Sequence, residues 1–493
     1  MDKVLPFFVA IPIFSAIFML LIGKWEKKIF PRIWSIITTA TLVFLISLIW
    51  EKGTIIHVMG GWRPPYGIIM IKDHLSLLML IIVNVVAFLS IIYSYSYITK
   101  YEDYLRFFSL FMLMLAGMNG VVLSGDIFNL FVFLEIASLA SYALVGYGVG
   151  AEELEASFKY LILGAFASLL ILFGIGIIYS VTGSVNMADI ARFLINNSGN
   201  KAVLMATGLF LFGFGLKAGL VPFHAWLPDA HSSAPAPISA MLSGVLIKVL
   251  GIYALMRVFY HVIGVSELIL NIFLVIGSLS MVVGALMGFG QDDIKRLFAF
   301  SSISQMGYVM VGIGLGTPLG IIGALFHLLN HAGFKSLMFL SSGAIEDETG
   351  TRSLSELGGL RQKMPVTSAS SVVGALSISG VPPFNGFWSK LIILIAALKV
   401  GNIWVSVIIV LTAFFTLSYY LRFQKNAIFG DIGKKVEGAR EVPIPMVVPL
   451  VLLAIICLLV GIFNHSIISN IIIPAQETLL DRSGYILSVL GNL

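Results

Sequence analysis

Cysteine and charge are both scarce in this chain. It has one cysteine, Cys457, among 493 residues, and charged residues make up only 11% of it. A single cysteine excludes a disulfide framework and any zinc or iron–sulfur site built from cysteine ligands. Soluble domains carry about 25% charged residues, so a chain this poor in charge cannot cover a water-exposed surface. These two shortages exclude a soluble enzyme, a nucleic-acid reader and a disordered scaffold.

Long apolar runs make up most of the chain. Apolar residues account for 58% of it, and the mean hydropathy is +1.00. A helix that crosses a bilayer needs about 20 mostly apolar residues. Fourteen stretches meet that requirement, at residues 4–23, 33–50, 75–98, 107–125, 127–148, 158–181, 202–230, 236–260, 267–289, 297–316, 320–344, 367–399, 403–422 and 444–464. The sequence therefore predicts an all-α polytopic membrane protein with about 14 transmembrane helices.

The distribution of lysine and arginine predicts how these spans are oriented. If the 23–32 loop lies inside, the inside loops hold 17 of the 30 basic residues and the outside segments hold nine. The basic residues counted inside include Lys24, Lys27 and Lys295, and those counted outside include Lys72 and Arg257. Because basic residues accumulate on the cytoplasmic side, both termini are predicted outside, in a multi-pass protein of the cell (cytoplasmic) membrane.

Two short segments recur in the chain in the same order. DIFNLFVF, from Asp126, resembles DIKRLFAF, from Asp293, at an offset of 167 residues. GLVPFHAW, around Pro222, resembles GVPPFNGFW, around Pro383, at an offset of 161 residues. Each unit would hold five spans, and an odd number makes the second unit enter the membrane inverted, as in many transporters. The predicted divisions are a three-helix segment (1–100), two five-helix repeats (107–260 and 267–422), and a C-terminal helix with an interfacial tail (444–493).

Prolines interrupt the seventh and twelfth spans at matching positions. Pro222, Pro382 and Pro383 lack the N–H group that a helix ladder needs. At membrane depth, the freed polar groups are tolerated only where protein or cavity water satisfies them. We therefore expect a broken helix beside a hydrated interior in each repeat. An ordinary proline kink is the alternative for either span taken alone.

The few titratable residues inside the apolar spans are functional candidates, because burying a charge there costs about 2.5–3.5 kcal/mol on insertion scales. The set comprises Glu135, Lys217, Lys248, His327, His331, Lys335 and Lys390. His327, His331 and Lys335 follow an i, i+4, i+8 spacing, which places them on one face of a helix. A lysine that exchanges between ammonium and amine carries a proton, and so does a histidine near neutral pH. The set therefore predicts a proton relay near mid-membrane.

The sequence leaves other roles open for these residues. Lys335 and Lys390 lie near span ends, where a lysine side chain reaches water along the helix surface. The two histidines would also serve as hydrogen-bond partners between helices. Glu135 with Lys217 would also serve as a structural ion pair that never titrates. A metal site at the histidines lacks further ligands, and a lysine-rich interior disfavours a sodium site. No metal and no cofactor are predicted.

The inner end of the seventh span is rich in groups that exchange protons. His224, Asp229 and His231 lie in the segment PFHAWLPDAHSS and are additional candidates, for proton entry. A loop packed by prolines and aromatic rings is the competing interpretation. A solvated loop is predicted for the acidic run of Glu152, Glu153 and Glu155.

Three long motifs carry a resemblance to a known family. They read GLKAGLVPFHAWLPDAHSSAPAPISAMLSG, ALFHLLNHAGFKSLMFLSSGAI and SGVPPFNGFWSK. The chain resembles the antiporter-like subunits over essentially its whole length. These include the large membrane-arm subunits of respiratory complex I, the D-type subunits of Mrp-type cation/proton antiporters, and their counterparts in membrane-bound hydrogenases. The resemblance implies inverted five-helix repeats with broken helices at spans seven and twelve.

The resemblance also implies a role for each residue that matches the family motifs. Glu135 corresponds to the glutamate of the fifth span, and Lys217 to the lysine of the seventh span that pairs with it. Lys248 corresponds to the lysine of the eighth span. The histidines of the eleventh span and the lysine of the twelfth correspond to His327, His331 and Lys390. Some members have glutamate at the last position, and lysine there is more like the D-type antiporter subunits and some complex I members.

The function implied is that of a proton-translocating subunit of a multisubunit membrane complex, most like the D-type subunit of an Mrp-type Na+/H+ antiporter. The alternative is a proton-pumping membrane subunit of a redox-driven complex of the membrane-bound hydrogenase, sulfur-reducing or complex I type. In both cases the partners would be other membrane subunits and the lipid bilayer, with any sodium moving elsewhere in the complex. The rival classes are a redox subunit that binds quinone or a metal centre, a self-sufficient antiporter and a structural scaffold. No haem, flavin or cluster motif supports the first.

Overall fold

The computed structural model describes residues 2–23, 26, 28–197 and 199–491, and 79% of the structure is helical. Lys24 and Lys27, which entered the count of basic residues, lie outside the described residues, as do the outermost limits of the predicted terminal segments, residues 1 and 493.

The first half of the chain contains eleven α-helices and one β-hairpin. The helices are α1 Phe7–Ile22, α2 Ile29–Ile49, α3 His74–Tyr97, α4 Tyr104–Leu123, α5 Ile127–Val145, α6 Ala151–Thr182, α7 Met187–Leu194, α8 Lys201–Lys217, α9 Trp226–Ser233, α10 Ala236–Met241 and α11 Ala254–Met256. Three π-helical stretches join and extend the last two into one continuous helix, Ala236–Ile263. Strands β1 (Ile55–Val58) and β2 (Ile69–Lys72) pair antiparallel between α2 and α3.

The second half of the chain is also built of helices. They are α12 Glu267–Phe289, α13 Ile294–Gly314, α14 Pro318–Thr349, α15 Leu360–Lys363, α16 Pro365–Ser379, α17 Asn385–Lys399, α18 Ile403–Phe423, α19 Ile444–Ile462, α20 Asn464–Ile467, α21 Ile473–Leu480 and α22 Arg482–Leu490. Within the described ranges, eleven helices of the whole chain are long and apolar enough to cross a membrane. The other three predicted spans are the two interrupted ones and the polar helix α14, so the total of fourteen stays a prediction.

Both predicted breaks are present. Helix α8 ends at Lys217 and α9 begins at Trp226, while α16 ends at Ser379 and α17 begins at Asn385. Glycine follows closely in each case, at a positive φ that few other residues adopt: Gly219 at +67° and Gly380 at +81°.

Side chains satisfy the backbone groups that the breaks set free, as burial in a membrane requires. At the first break the hydroxyl of Ser280 accepts from the N–H of Val221 at 3.0 Å, and the indole of Trp226 donates to the carbonyl of Leu216 at 3.1 Å. At the second break the ammonium of Lys390 donates to the carbonyl of Ile378 at 2.6 Å. Lys390, one of the candidate lysines, therefore binds a backbone carbonyl that the second break leaves free.

In the first part of each repeat, matching local structure recurs at an offset of 167 residues. Helices α6 and α14 both contain 32 residues, and both end at a threonine followed by a glycine at φ +67° or +68°. Asp126 caps the N-terminus of α5, and Asp293 caps that of α13. Each capping aspartate also forms an isolated β-bridge, Asp126 with Asn186 and Asp293 with Ser353.

Glycines set the register of the first helix pair in each repeat. A Cβ on Gly117 of α4 would lie 2.5 Å from the backbone nitrogen of Ala137 on α5. A Cβ on Gly284 of α12 would lie 2.5 Å from the backbone nitrogen of Ser304 on α13. Gly284 lies 167 residues after Gly117, and Ser304 lies 167 residues after Ala137. The pairs α4–α5 and α12–α13 therefore pack in the same register.

The two repeats begin at opposite ends of the helix bundle. Five membrane-length passages separate Asp126 from Asp293, namely α5, α6, α8 with α9, the Ala236–Ile263 helix and α12. Residues that were predicted to lie on the same side contact one another, as Asp73 does with Arg257 and Lys100 does with Asp347. An odd number of passages inverts the second repeat. Which end of the bundle faces the cytoplasm stays a prediction.

Three residues used in the count of basic residues are buried against protein partners and do not face solvent. The guanidinium of Arg257 lies 2.6 Å from Asp73, and the ammonium of Lys295 lies 2.9 Å from Glu346. Lys72 donates to the backbone carbonyls of Lys52 and Gly53. Hydropathy cannot separate a solvated charge from one that a tertiary partner compensates. Burial tends to raise the pKa of Asp73, but the charge and hydrogen bond of Arg257 lower that pKa to about 2.

The acidic run and the C-terminal tail also differ in detail from expectation. Glu152, Glu153 and Glu155 lie at the start of α6 instead of in a loop, because carboxylates favour the positive end of the helix dipole. The tail is helical, as predicted, and it packs on protein. Arg482 donates to the carbonyls of His261 and Ala191 at 3.1 Å each.

Candidate functional site

Glu135 and Lys217 come together beside the first break. The Glu135 Oε1 atom lies 3.7 Å from the Lys217 Nζ atom and also accepts a hydrogen bond from Ser168. Lys217, the last residue of α8, donates to the hydroxyl of Ser138 at 2.9 Å and to that of Tyr142 at 3.2 Å. The lysine side chain is 3% exposed and the glutamate side chain 28% exposed. The lysine therefore has two neutral partners on α5 in addition to its counter-ion.

Lys248 is fully buried at the start of a π-helical stretch of the Ala236–Ile263 helix. Its ammonium donates to the carbonyl of Ser243 at 2.5 Å, a group that the wider helix turn makes available. One turn later, Gly251 packs so closely on the residue after Lys217 that a Cβ there would lie 2.5 Å from the Cα of Ala218. The backbones that carry Lys217 and Lys248 are thus in direct contact. π-Helical turns occur frequently at functional sites.

Helix α14 carries the histidine and lysine stripe that the spacing predicted. His327 Nδ1 lies 2.9 Å from the hydroxyl of Ser389, and the rings of His327 and His331 are 6.3 Å apart. Across the described part of the chain, neither ring nitrogen of His331 has a hydrogen-bond partner. Lys335 donates to the carbonyl of Phe298 at 2.6 Å. All three stripe residues are fully buried.

Lys390 lies at the far end of this stripe. Its ammonium is 5.0 Å from the ring centre of Tyr308, and the same ring lies 5.6 Å from that of His327. Lys390 is 5% exposed and Lys335 is fully buried. Neither lysine reaches the surface of the chain, so the interpretation of these side chains as reaching water at span ends is wrong.

The end of the seventh span that is predicted to lie inside contains two kinds of titratable group. Asp229 is held by two cations, Lys159 at 3.1 Å and Arg296 at 2.8 Å, beside a polar cleft of about 250 Å³. His231 is fully buried, and its ring stacks on Phe339 at 4.8 Å. The ammonium of Lys335 lies 6.0 Å from the same phenyl ring. His231 therefore adjoins the α14 stripe.

His224 is half-buried, and its Nδ1 atom has no partner within the described residues.

The structure brings the residues of the predicted relay into two groups. Glu135 and Lys217 form one. The other gathers around His331, whose electrostatic environment includes Lys248, Lys335 and Lys390. The contact between Ala218 and Gly251 joins the two groups. Among the residues described, no cluster of three or more histidine, cysteine or acidic side chains is placed to hold a metal ion.

Neutral polar residues around these groups escaped the sequence interpretation, which considered only charges and histidines. They are Ser138, Tyr142, Ser243, Ser302, Gln305, Tyr308 and Ser389. The signal was present in the tenth span, where SSISQMGY places a serine, a glutamine and a tyrosine three residues apart. Such residues carry no charge, and for that reason a search for charges and histidines passes over them.

Two family models match this chain. The transmembrane model of NADH:quinone oxidoreductase and Mrp antiporters matches residues 124–416, and the complex I chain 5 N-terminus model matches residues 68–108. The first match spans the candidate residues from Glu135 to Lys390.

Individual relatives come from different kinds of complex. The N-type subunit of the NADH-quinone oxidoreductase of Desulforudis audaxviator is 37% identical, with 84% of this chain and 86% of that protein covered. The D-type subunit of the Na(+)/H(+) antiporter of Alkalihalophilus pseudofirmus is 32% identical, with 91% of each covered. A chain of an archaeal membrane-bound sulfane sulfur reductase superposes with a TM-score of 0.93 at 32% identity, over 99% of this chain and 100% of that one. The chain therefore belongs to the NADH:quinone oxidoreductase/Mrp antiporter transmembrane family.

Proposed function

We propose that the chain is the proton-translocating subunit of a multisubunit membrane complex, most like the D-type subunit of an Mrp-type Na+/H+ antiporter. The observation that carries the proposal is the set of buried titratable side chains beside the two helix breaks. Four lysines of the candidate set (Lys217, Lys248, Lys335 and Lys390) and two histidines (His327 and His331) are 5% exposed or less within the helices. A purely structural role does not explain why so many basic groups are buried in the interior.

The order of the groups supports a path. A proton would pass from Lys217 to Lys248, then through His327 and His331 to Lys390. At each step an ammonium or imidazolium gives its proton to a neutral amine or imidazole, so one positive charge moves and none accumulates. Water would bridge the intervals that exceed hydrogen-bond distance.

Glu135 would set the charge state of Lys217. A carboxylate 3.7 Å from the Nζ atom favours the ammonium form. When the carboxylate is protonated or drawn away, the ammonium loses that support, and Ser138 and Tyr142 remain as neutral partners. The pair would then release a proton towards Lys248.

Entry from the inner end would use His231 in preference to Asp229. Asp229 is occupied by two cations, whereas His231 lies against the phenyl ring that Lys335 also approaches. His224, half-buried beside the first break, is a further candidate for the same route. We place the chain in the cell membrane with both termini outside, among other membrane subunits.

A second candidate function is proton pumping within a redox-driven complex. The similarity to an NADH-quinone oxidoreductase subunit and to a sulfane sulfur reductase chain favours it. The relay would be the same, and the driving reaction would occur in other subunits. Purification of the complex through an affinity tag on this chain separates the two hosts. Co-purifying redox subunits would support the second candidate, and antiporter subunits alone would support the first.

The test of the relay is the exchange of Lys217 for alanine in the complete host complex. Proton transport would be followed with a pH-sensitive dye in sealed membrane vesicles. Lys217→Ala should abolish transport, because it removes the proton carrier at the first break, while the complex assembles in normal amount. Lys201→Ala is the matched control, since Lys201 is an exposed lysine at the start of the same helix. Full transport in the Lys217→Ala complex would contradict the proposed function.

A further inference from the structure

Gln305 is a fully buried amide in the middle of α13. In the part of the chain that the structure describes, neither its Nε2 nor its Oε1 atom has a hydrogen-bond partner. An unsatisfied buried polar group costs about 1–3 kcal/mol. A glutamine that only filled space would therefore be worse than a leucine or methionine at this position. The amide points to a ligand that both donates and accepts hydrogen bonds.

The neighbours of Gln305 along α13 lie towards Lys248 on one side and towards His327 on the other. Ser302 and Tyr308 lie three residues before and after it, on the same helix face. The hydroxyl of Ser302 bonds to Ser243 at 2.7 Å, and Ser243 also supplies the carbonyl that binds Lys248. Tyr308 adjoins the ring of His327 on the other side. Gln305 thus lies on the stretch between Lys248 and His327.

The internal repeat gives a second and independent reason. The glycine contacts and capping aspartates place α5 and α13 in the same register at an offset of 167 residues. At that offset Gln305 corresponds to Ser138. Ser138 is the residue that accepts the ammonium hydrogen bond of Lys217 in the first repeat. The same position on the two helices thus carries a polar side chain, and in the first repeat that side chain contacts a buried ammonium.

We propose that Gln305 is a positioning residue of the relay, which binds water between Lys248 and His327. This inference rests on the proposed function. A carboxamide offers two donors and an acceptor at neutral charge, so it orients a water molecule that receives a proton from the ammonium and passes one to the imidazole. The glutamine itself gains and loses no proton.

The experiment compares Gln305→Met and Gln305→Asn in the complete host complex in sealed vesicles. Methionine keeps the length and volume of the side chain and removes its hydrogen bonds, whereas asparagine keeps the amide on a shorter stem. Proton transport should fall about tenfold in Gln305→Met, since a lost hydrogen bond of about 1.4 kcal/mol corresponds to that factor. Gln305→Asn should transport faster than Gln305→Met. Gln476→Met, at a buried glutamine of the tail, should match the wild type.

The order of the two variants distinguishes the proposed role from packing. If Gln305 only fills space, Gln305→Met transports at the wild-type rate and faster than Gln305→Asn, and the inference is wrong. The solvent deuterium isotope effect on transport should also increase in Gln305→Met, which a purely structural role would not cause. If Gln305→Met does not assemble, Gln305→Leu replaces it in the same comparison.

The failure of this inference is separable from failure of the relay. Loss of transport in Lys217→Ala with an unchanged rate and isotope effect in Gln305→Met overturns the role of Gln305 alone. Full transport in Lys217→Ala overturns the relay and the role of Gln305 with it.

Discussion

Two acid–base pairs of this protein are built in different ways. Arg257 and Asp73 meet through two contacts of 2.6 Å, and both side chains are less than 5% exposed. Lys217 and Glu135 are separated by 3.7 Å, and the glutamate is 28% exposed. The first pair ties the Ala236–Ile263 helix to the start of α3, while the second pair lies at a helix break.

The difference indicates in which ion pair the basic residue can lose its proton. A guanidinium does not lose its proton in proteins, and its planar fork fits a carboxylate through two hydrogen bonds. A lysine ammonium does lose its proton when buried. Lys217 also has the hydroxyls of Ser138 and Tyr142 as partners in either state. The close pair is therefore structural, and the looser pair is suited to proton transfer.

Removal of the guanidinium from the close pair should have the largest effect. Arg257→Leu leaves the carboxylate of Asp73 buried and uncompensated, which costs about 3–5 kcal/mol. The expected result is a large fall in the amount of assembled complex and in its melting temperature in detergent. Arg192→Leu is the control, because Arg192 forms only an exposed pair with Asp189. An Arg257→Leu complex as stable as the control would remove the structural role of this pair.

Acid should weaken the same pair by about 2 kcal/mol. The pKa of Asp73 is lowered from 3.8 to about 2 in the fold, so its contribution is complete above about pH 4 and is lost as the pH falls towards 2. The stability difference between wild type and Asp73→Asn should be constant from about pH 5 to 9 and shrink below about pH 4. Melting temperatures measured across this range provide the check. A difference that already shrinks at neutral pH would show that another group titrates.

Neutralisation of the looser pair should affect transport and leave stability nearly unchanged. Glu135→Gln keeps the shape of the side chain and its contact with Ser168, but removes the charge that favours the ammonium of Lys217. Proton transport should fall at least about tenfold, equivalent to about 1.4 kcal/mol, with normal assembly. Vesicle transport and native gel electrophoresis measure the two quantities. A stability loss as large as that of Arg257→Leu would make both pairs structural.

The ion pairs of Asp229 should have the smallest effect. Its carboxylate is 27% exposed and pairs with Lys159 and Arg296 near the surface, where such pairs contribute about 0–1 kcal/mol. Asp229→Asn should therefore change the melting temperature little and transport less than about twofold. His231→Phe, which removes the buried imidazole, should reduce transport more than Asp229→Asn does. A larger loss of transport in Asp229→Asn would indicate that protons enter through the carboxylate.

Much of the fold followed from local sequence signals. The breaks were predictable from Pro222 and Pro383 because proline removes a helix donor wherever it stands. The repeat was predictable because DIFNLFVF and DIKRLFAF, and then GLVPFHAW and GVPPFNGFW, recur in the same order at similar offsets. Both signals can be read directly from the sequence of one chain.

The misassigned buried basic residues have partners that are distant in sequence. Arg257 was counted as an outside charge without a partner, because its carboxylate, Asp73, lies 184 residues away. Lys295 was assigned to a loop although Glu346 compensates its charge inside the protein. Gln305 was not a candidate because only the tertiary structure shows that its amide is buried without a partner among the described residues. Of the candidate relay, the side chains were predictable from their rarity, whereas their grouping around His331 required the tertiary structure.

Proton transport by Lys248→Met and Lys72→Met complexes, measured side by side, tests the central claim most directly. Both residues are fully buried lysines whose ammonium groups donate to backbone carbonyls, but only Lys248 lies beside the α14 histidines. With equal amounts of assembled complex, the relay predicts that Lys248→Met abolishes transport and that Lys72→Met retains it. Equal transport by the two complexes would contradict a proton path through Lys248.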